Sequence, residues 1–280
     1  MSTPASAVSA ATGDPRRLRG QNALVTGANS GIGEGIAREL AAAGAAVVVN
    51  YVTHPETATQ IVSDINAGGG HALAIEADVS REDEVRGMFA QAVKELGTLD
   101  IVVSNAGIQR DAALVDMTLE EWEAVIGVNL TGGFLCAREA AREFLRRGPR
   151  PDVSRALGKI IFTSSVHQVI PWGGHVNYAS TKGGIMMLMQ SVAQELAPHH
   201  IRVNSVCPGA IRTPINHSAW ATPAAEQALL KLIPCGRVGD PIDIARVVAW
   251  LASDESDYVV GSSLFVDGGM TLYPGFATGG

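Results

Sequence analysis

The chain has 280 residues, of which 46% are hydrophobic and 31 are glycine, and it carries a formal net charge of −7. That length fits one α/β domain with a large buried core, and an acid excess without a long Lys/Arg cluster argues against binding nucleic acid. No apolar run approaches the roughly 20 residues that span a bilayer, and the scattered Cys136, Cys207 and Cys235 suggest neither a disulfide framework nor a metal site. The expectation is a cytoplasmic protein with reduced, buried thiols.

Residues 1–19 are rich in Ala, Ser and Thr and carry Arg16, Arg17 and Arg19, but have no apolar signal core. They are expected to be a disordered leader outside the fold. Residues 22–26 (NALVT) read as a buried strand, followed by Gly27-x-x-x-Gly31-x-Gly33 and a helix through Ala43, stopped at Gly44. A second strand covers 45–50 and a second helix 56–67. A third strand lies within 71–79, ending in Asp78, and residues 81–96 have helical spacing. Residues 100–104 form a fourth strand that closes into Asn105-Ala106-Gly107. One or two long helices then run over 119–146 through Asn129. A fifth strand, 159–163, ends at Ser164-Ser165, and Tyr178 and Lys182 lie on a helix reaching about residue 196. A sixth strand, 201–206, ends in Pro208-Gly209; beyond an irregular stretch to Pro234, a helix covers 241–253 and a seventh strand 263–266. Strands separated by helices imply right-handed crossovers and a parallel sheet covered on both faces. The fold class is therefore α/β, one doubly wound Rossmann domain over residues 20–280.

Two motifs carry chemistry. The glycine turn lies between a strand and a helix, where the backbone can approach a pyrophosphate at the positive end of the helix dipole. At the end of the second strand, Asn50 and Tyr51 supply neither the acid that favours NAD nor a cation that suits NADP, and Asn29 and Ser30 are uncharged too. The cofactor is thus NAD or NADP. Asp78, beside the Val79 backbone, is placed to accept from an adenine amino group or to act as a surface cap. Tyr178 and Lys182 share one helix face at spacing i, i+4, with Ser165 thirteen residues upstream of the tyrosine. A cation beside a phenol favours the phenolate and makes it a better base near neutral pH.

The glycine turn, Asn105-Ala106-Gly107, Asn129, Ser165, Tyr178 and Lys182, in that order, make the chain resemble the short-chain dehydrogenase/reductase family from about Arg19 onward. The segments SSVHQVIPW (164–172), PGAIRTPIN (208–216) and DGGMTLYPGF (267–276) are similar to its bacterial glucose 1-dehydrogenase branch. The resemblance implies oxidation of a sugar, β-D-glucose at C1, by a homotetramer. It also implies roles. Tyr178 would be the general base, and Lys182 would bind the nicotinamide ribose and lower the tyrosine pKa. Ser165 would hold the substrate oxygen, and Asn129 would anchor a water leading to solvent. Gly27, Asn29, Ser30, Gly31, Ile32, Gly33, Asn50, Tyr51, Asp78, Val79, Asn105, Ala106 and Gly107 would line the nucleotide path. Pro208, Gly209, Ile211 and Thr213 would flank the carboxamide. His167 would hydrogen-bond a sugar hydroxyl, Trp172 would offer its face to the sugar ring, and Asn216 would touch the sugar; His175 is read as structural. Val52 stands where that branch usually carries a basic residue, residues 146–158 form a longer surface loop, and Gln109 replaces an acid. Residues 213–233 would form a lid, and the apolar tail 270–280 would dock on a neighbouring subunit. The alternatives are a reductase of 3-oxoacyl thioesters or other ketones and a non-catalytic dinucleotide-binding regulator.

Overall fold

Strands β1 (Asn22–Val25), β2 (Ala46–Tyr51), β3 (His71–Glu76), β4 (Ile101–Ser104), β5 (Gly158–Thr163), β6 (Ile201–Pro208) and β7 (Ser263–Val266) form one parallel sheet in the order β3-β2-β1-β4-β5-β6-β7. The computed structural model describes residues 16–272; the first fifteen residues of the expected leader and the tail from 273 onward lie outside them. Because helices cover both faces, inner strands have no solvent side to mark with polar residues, and β5 and β6 are buried throughout. One face packs on α1 (Gly31–Ala42), α2 (Pro55–Ala67) and α8 (Pro241–Ala252). The other packs on α3 (Glu82–Leu96), α5 (Gly132–Arg147) and α6 (Val176–Leu196). The strand order reverses between β1 and β4, which opens a crevice at the carboxyl ends of the strands, where such sheets bind ligands.

Four details differ from the sequence reading. Leu18 is fully buried, donates its N–H to Ala43 O at 2.9 Å and joins the α1-side core, so residues 16–19 belong to the fold. A single leucine among arginines carries no periodic signal. The long helical stretch is divided into α4 (Leu119–Val125), held by a Thr118–Glu121 capping box, a widened π-turn (Ile126–Thr131) and α5. The stretch expected to be a surface loop, 146–158, braces the amino ends of the strands through Arg147 and Arg150, at 3.2 and 2.7 Å from the buried Asp100 carboxylate. The lid contains a 3-10 segment (Pro214–Ala219) and α7 (Pro223–Leu230), the latter capped by Thr222, whose hydroxyl accepts from Ala225 N at 3.2 Å. Among the described residues, no helix is long and apolar enough to cross a membrane.

Candidate active site

The crevice is a cleft of about 1690 Å³, larger than the roughly 1,000 Å³ that bounds a single small-ligand pocket and wide enough for a dinucleotide beside a substrate. Of the site residues expected from sequence, all but Tyr51 and Asn129 line it. Tyr51 packs instead against the core under α1 and α2.

At the nucleotide end, close packing and backbone conformation both require the glycines. Gly27 has φ +57°, and a Cβ there would come within 2.9 Å of Ala106 Cα; a Cβ on Gly33 would lie 2.2 Å from Gly27 O. Ser30 precedes α1 without its side chain capping the helix, which leaves first-turn N–H groups for an anion. That cradle fits a dinucleotide diphosphate. Asn105 secures it, donating from Nδ2 to Thr26 O and Gly27 O at 3.0 and 3.1 Å. Asn50 is 1% exposed and its amide is already engaged. Its Oδ1 accepts from Gly27 N at 3.1 Å, and its Nδ2 donates to Ala77 O and Ile75 O at 3.0 and 3.3 Å. The expected ribose contact through this side chain is therefore replaced by a structural clamp. Asp78, which lines the cleft, makes a local cap: its Oδ1 accepts from Ser80 N and Oγ at 2.9 and 2.7 Å.

At the reacting end, α6 carries Tyr178 and Lys182, β5 delivers Ser165 and the π-turn delivers Asn129. Asn129 Oδ1 accepts from Ile108 N at 2.8 Å, and its Nδ2 donates to Ile108 O and to Thr181 Oγ1 at 3.1 and 3.2 Å. Thr181 in turn donates to Tyr178 O at 2.7 Å, so the asparagine ties the loop after β4 to the tyrosine helix. Lys182 is 4% exposed, and its ammonium donates to Thr163 O at 2.9 Å while lying 5.3 Å from the Tyr178 ring centroid. Burial pulls its pKa down to about 8. Burial also raises the Tyr178 pKa, partly offset by hydrogen bonding from Ser165 and Gln109. The ammonium donates to a carbonyl of β5 and stays beside the tyrosine ring, so burial raises the phenol pKa while a neighbouring cation favours the phenolate.

The substrate end departs further. Trp172 stacks on His167 at 4.2 Å and on His175 at 3.5 Å between centroids, with interplanar angles of 15° and 7°. Two rings that near and that parallel cannot share one face of an indole without overlapping, so the histidines cover opposite faces. Trp172 therefore offers its edge, not its face, to the cleft. His167 Nδ1 donates to Ile170 O at 3.1 Å and burial lowers its pKa, which leaves a neutral ring with Nε2 as an acceptor. Asn216 Oδ1 accepts from Thr213 N, Thr213 Oγ1 and Trp220 Nε1 at 3.2, 2.8 and 3.2 Å, which braces the 3-10 segment on the cleft wall. Ile170, Pro171, Ile215, Leu229, Leu232 and Met270 complete a mostly apolar wall.

A glycine cradle, a serine, a tyrosine and a buried lysine thus share one cleft at a strand-order switch point. A family model described as Enoyl-(Acyl carrier protein) reductase matches residues 27–271. The chain belongs to the short-chain dehydrogenase/reductase family. It is 46% identical to 3beta-hydroxysteroid dehydrogenase 1 of Eggerthella lenta over 94% of this chain and 98% of that protein. It is 40% identical to glucose 1-dehydrogenase 2 of Bacillus subtilis over 92% and 97% respectively. Among solved structures, a gluconate 5-dehydrogenase from Burkholderia cenocepacia in complex with NADP and tartrate superposes with TM-score 0.85 at 36% identity, covering 92% of this chain and 98% of that one.

Three residues of this dehydrogenase/reductase site lay outside the sequence reading. Asn177 is fully buried, donates to Arg110 O at 2.7 Å and accepts from Tyr178 N at 2.7 Å. Thr181 is visible in sequence only as the i+3 partner of Tyr178. Asp111 meets His175 Nε2 at 3.3 Å, a pairing that no local spacing announces.

Proposed function

We propose that this protein is an NAD(P)-dependent dehydrogenase that interconverts a secondary alcohol and its ketone on a flat, largely apolar ring substrate of the steroid class. The observation that carries the reading is the apolar lining of the cleft that also holds Tyr178, to which Ile170, Pro171, Ile215, Leu229, Leu232 and Met270 contribute. A polyol lying there would strip several hydroxyls of water, at about 1–3 kcal/mol for each one left unpaired. The name of the Eggerthella lenta relative supports the same class. Oxidation of β-D-glucose at C1 is the second reading, favoured by His167 Nε2 and Gln109 on the wall and by the Bacillus subtilis relative.

In either reading, the bound nicotinamide supplies hydride chemistry and the chain supplies placement and proton handling. Tyr178 takes the proton from the alcohol, with Ser165 fixing the same oxygen. Lys182 would orient the nicotinamide ribose, and its charge favours the phenolate form in which Tyr178 accepts the proton. Asn129 keeps the loop after β4 locked to α6, so the phenol stays in register. Gly27 through Gly33 would seat the diphosphate, Asp78 and Val79 would receive the adenine, Asn105, Ala106 and Gly107 would line the nucleotide path, and Pro208, Gly209, Ile211 and Thr213 would flank the carboxamide. Among the described residues lining the cleft, neither a cation nor an acid stands beside Val52 and Thr53, so the reading keeps both NAD and NADP. Exposed Phe134, Leu145 and Met187 on α5 and α6 support a homotetramer, and the whole reading is of a cytoplasmic enzyme.

Initial rates followed by nicotinamide absorbance, with each cofactor against hydroxysteroids, monocyclic alcohols and sugars, test the substrate. Hydroxysteroid rates should exceed glucose rates at equal concentration, and the reverse order would refute the first reading. Tyr178→Phe should lower turnover by about 1,000-fold without changing NADH affinity measured by fluorescence titration.

A further inference from the structure

The loop after β4 is joined to the start of α6 at three places. Ala112 N donates to Gly174 O at 3.1 Å, Asn177 Nδ2 donates to Arg110 O at 2.7 Å, and Asp111 Oδ2 lies 3.3 Å from His175 Nε2. His175 Nδ1 also lies 2.9 Å from Gly173 O; a neutral imidazole donates to one of the two oxygens and a protonated one to both, so the ring is held in either state. This fixed ring covers one face of Trp172 at 3.5 Å, and His167, held by Ile170 O, covers the other. The tyrosine ring meets two of the three rings edge to face, at 6.1 Å from Trp172 and 6.3 Å from His167. The result is a slab three rings thick beside the phenol, anchored from outside by a carboxylate 47% exposed to solvent.

We propose that Asp111 and His175 are positioning residues that set substrate specificity by holding Trp172 edge-on to the cleft; the proposal builds on the alcohol-dehydrogenase reading above. An indole that stacks on imidazoles at both faces has no free face to offer a sugar, and its rigid edge limits the width of whatever ring approaches Tyr178. A broad, flat ring system gains contact along that edge, whereas a small alcohol does not reach it. His175 thus works through Trp172 and never touches the reacting atoms.

The test uses the full-length enzyme with NAD. His175→Ala should raise KM for the ring alcohol by tenfold or more with kcat within threefold, and leave KM for a small monocyclic alcohol within twofold. His175→Phe, which keeps a flat ring on the indole, should return KM to within threefold of the parent, and Asp111→Ala should fall between. Stacked imidazoles quench indole emission, so His175→Ala should brighten tryptophan fluorescence, and the gain should vanish in a Trp172→Phe background. An unchanged KM, a kcat loss equal for both alcohols, or an emission change that persists without Trp172 would each overturn the proposal. If the parent enzyme oxidises only sugars, the substrate reading falls; the stack is then judged by emission and by KM for the sugar.

Discussion

Two lysines are buried at opposite ends of β5, one on the strand and one on α6 beside it, and they are used in opposite ways. Lys159, at the amino end of β5, is 1% exposed; its ammonium donates to Gln21 Oε1 at 2.8 Å and to Ser154 Oγ, with Asp254 at 3.9 Å. Lys182, beside the carboxyl end of β5, is 4% exposed and has the Thr163 carbonyl at 2.9 Å as its one hydrogen-bond partner among the described residues. Burial lowers both pKa values to about 8. The desolvation cost is shared, but the return differs. Around Lys159 every neighbour is another structural group: Arg202 donates to Leu251 O and Ser253 O at 2.9 and 2.8 Å, and Asp100 binds Arg147, Arg150 and Asn22 N. Around Lys182 two N–H bonds are uncommitted and point into a cleft. One end of the sheet spends its polar groups on holding the fold, and the other reserves them for a ligand.

The contrast breaks most visibly on replacement by methionine. Lys182→Met should lower turnover by about 100-fold or more, yet the melting temperature should hold or rise, because a poorly compensated buried amine is removed. Lys159→Met should do the reverse: kcat within twofold, and about 1–2 kcal/mol of stability lost, because Gln21 Oε1 is left buried and unpaired while Ser154 keeps Asp254 and Ala156 N. Equal destabilisation by the two variants, measured by urea denaturation, would erase the distinction.

The same lysines leave a signature in pH. Each has a folded pKa of about 8 against the ordinary lysine value of 10.5, so between these values the unfolded chain binds more protons. Stability from these groups is therefore lowest below pH 8 and recovers as pH rises toward 10.5. Each methionine variant should flatten part of that rise. Tyr178, with its pKa raised above 10, acts the other way and lowers stability above that pH.

Asn50 sharpens the comparison, because it lies at the ligand end but is used like a residue of the other end. Asn50→Asp would set a carboxylate against the Ile75 and Ala77 carbonyls that the amide now serves. It should cost about 1–3 kcal/mol in urea melts and leave the NAD/NADP ratio unchanged.

The sheet was legible because seven apolar runs bounded by glycines leave few other solutions, and the family motifs placed Ser165, Tyr178 and Lys182 in one cleft. What stayed hidden was pairwise and long-range. Whether Asn50 faces ribose or clamps the glycine turn depends on carbonyls 25 and 27 residues away. Trp172 was read as a free aromatic face because sequence shows an indole but not the two imidazoles that cover it. His175 was set aside as structural, since its partner Asp111 is brought near only by the loop after β4. The π-turn at Asn129 was invisible for a different reason: widening a helix by one residue leaves the apolar spacing nearly intact.

The smallest expected effect falls on cofactor choice. With Asn50 committed, the side chains left at the ribose end of the cleft are Val52, Thr53 and Asn29, and Asn29 Nδ2 donates to Thr53 O at 2.6 Å. Val52 is 51% exposed, so a longer side chain meets no packing there. Val52→Arg should place a guanidinium where a 2′-phosphate would lie, with two parallel donors available to it. Because the position is solvated, the gain is about 1 kcal/mol, a roughly fivefold shift of kcat/KM toward NADP that shrinks as salt is added. Stability should not move, since Val52 contributes little buried area. A preference that ignores both the arginine and the salt would mean that the ribose lies elsewhere, and that the uncommitted groups around Lys182 serve a different ligand.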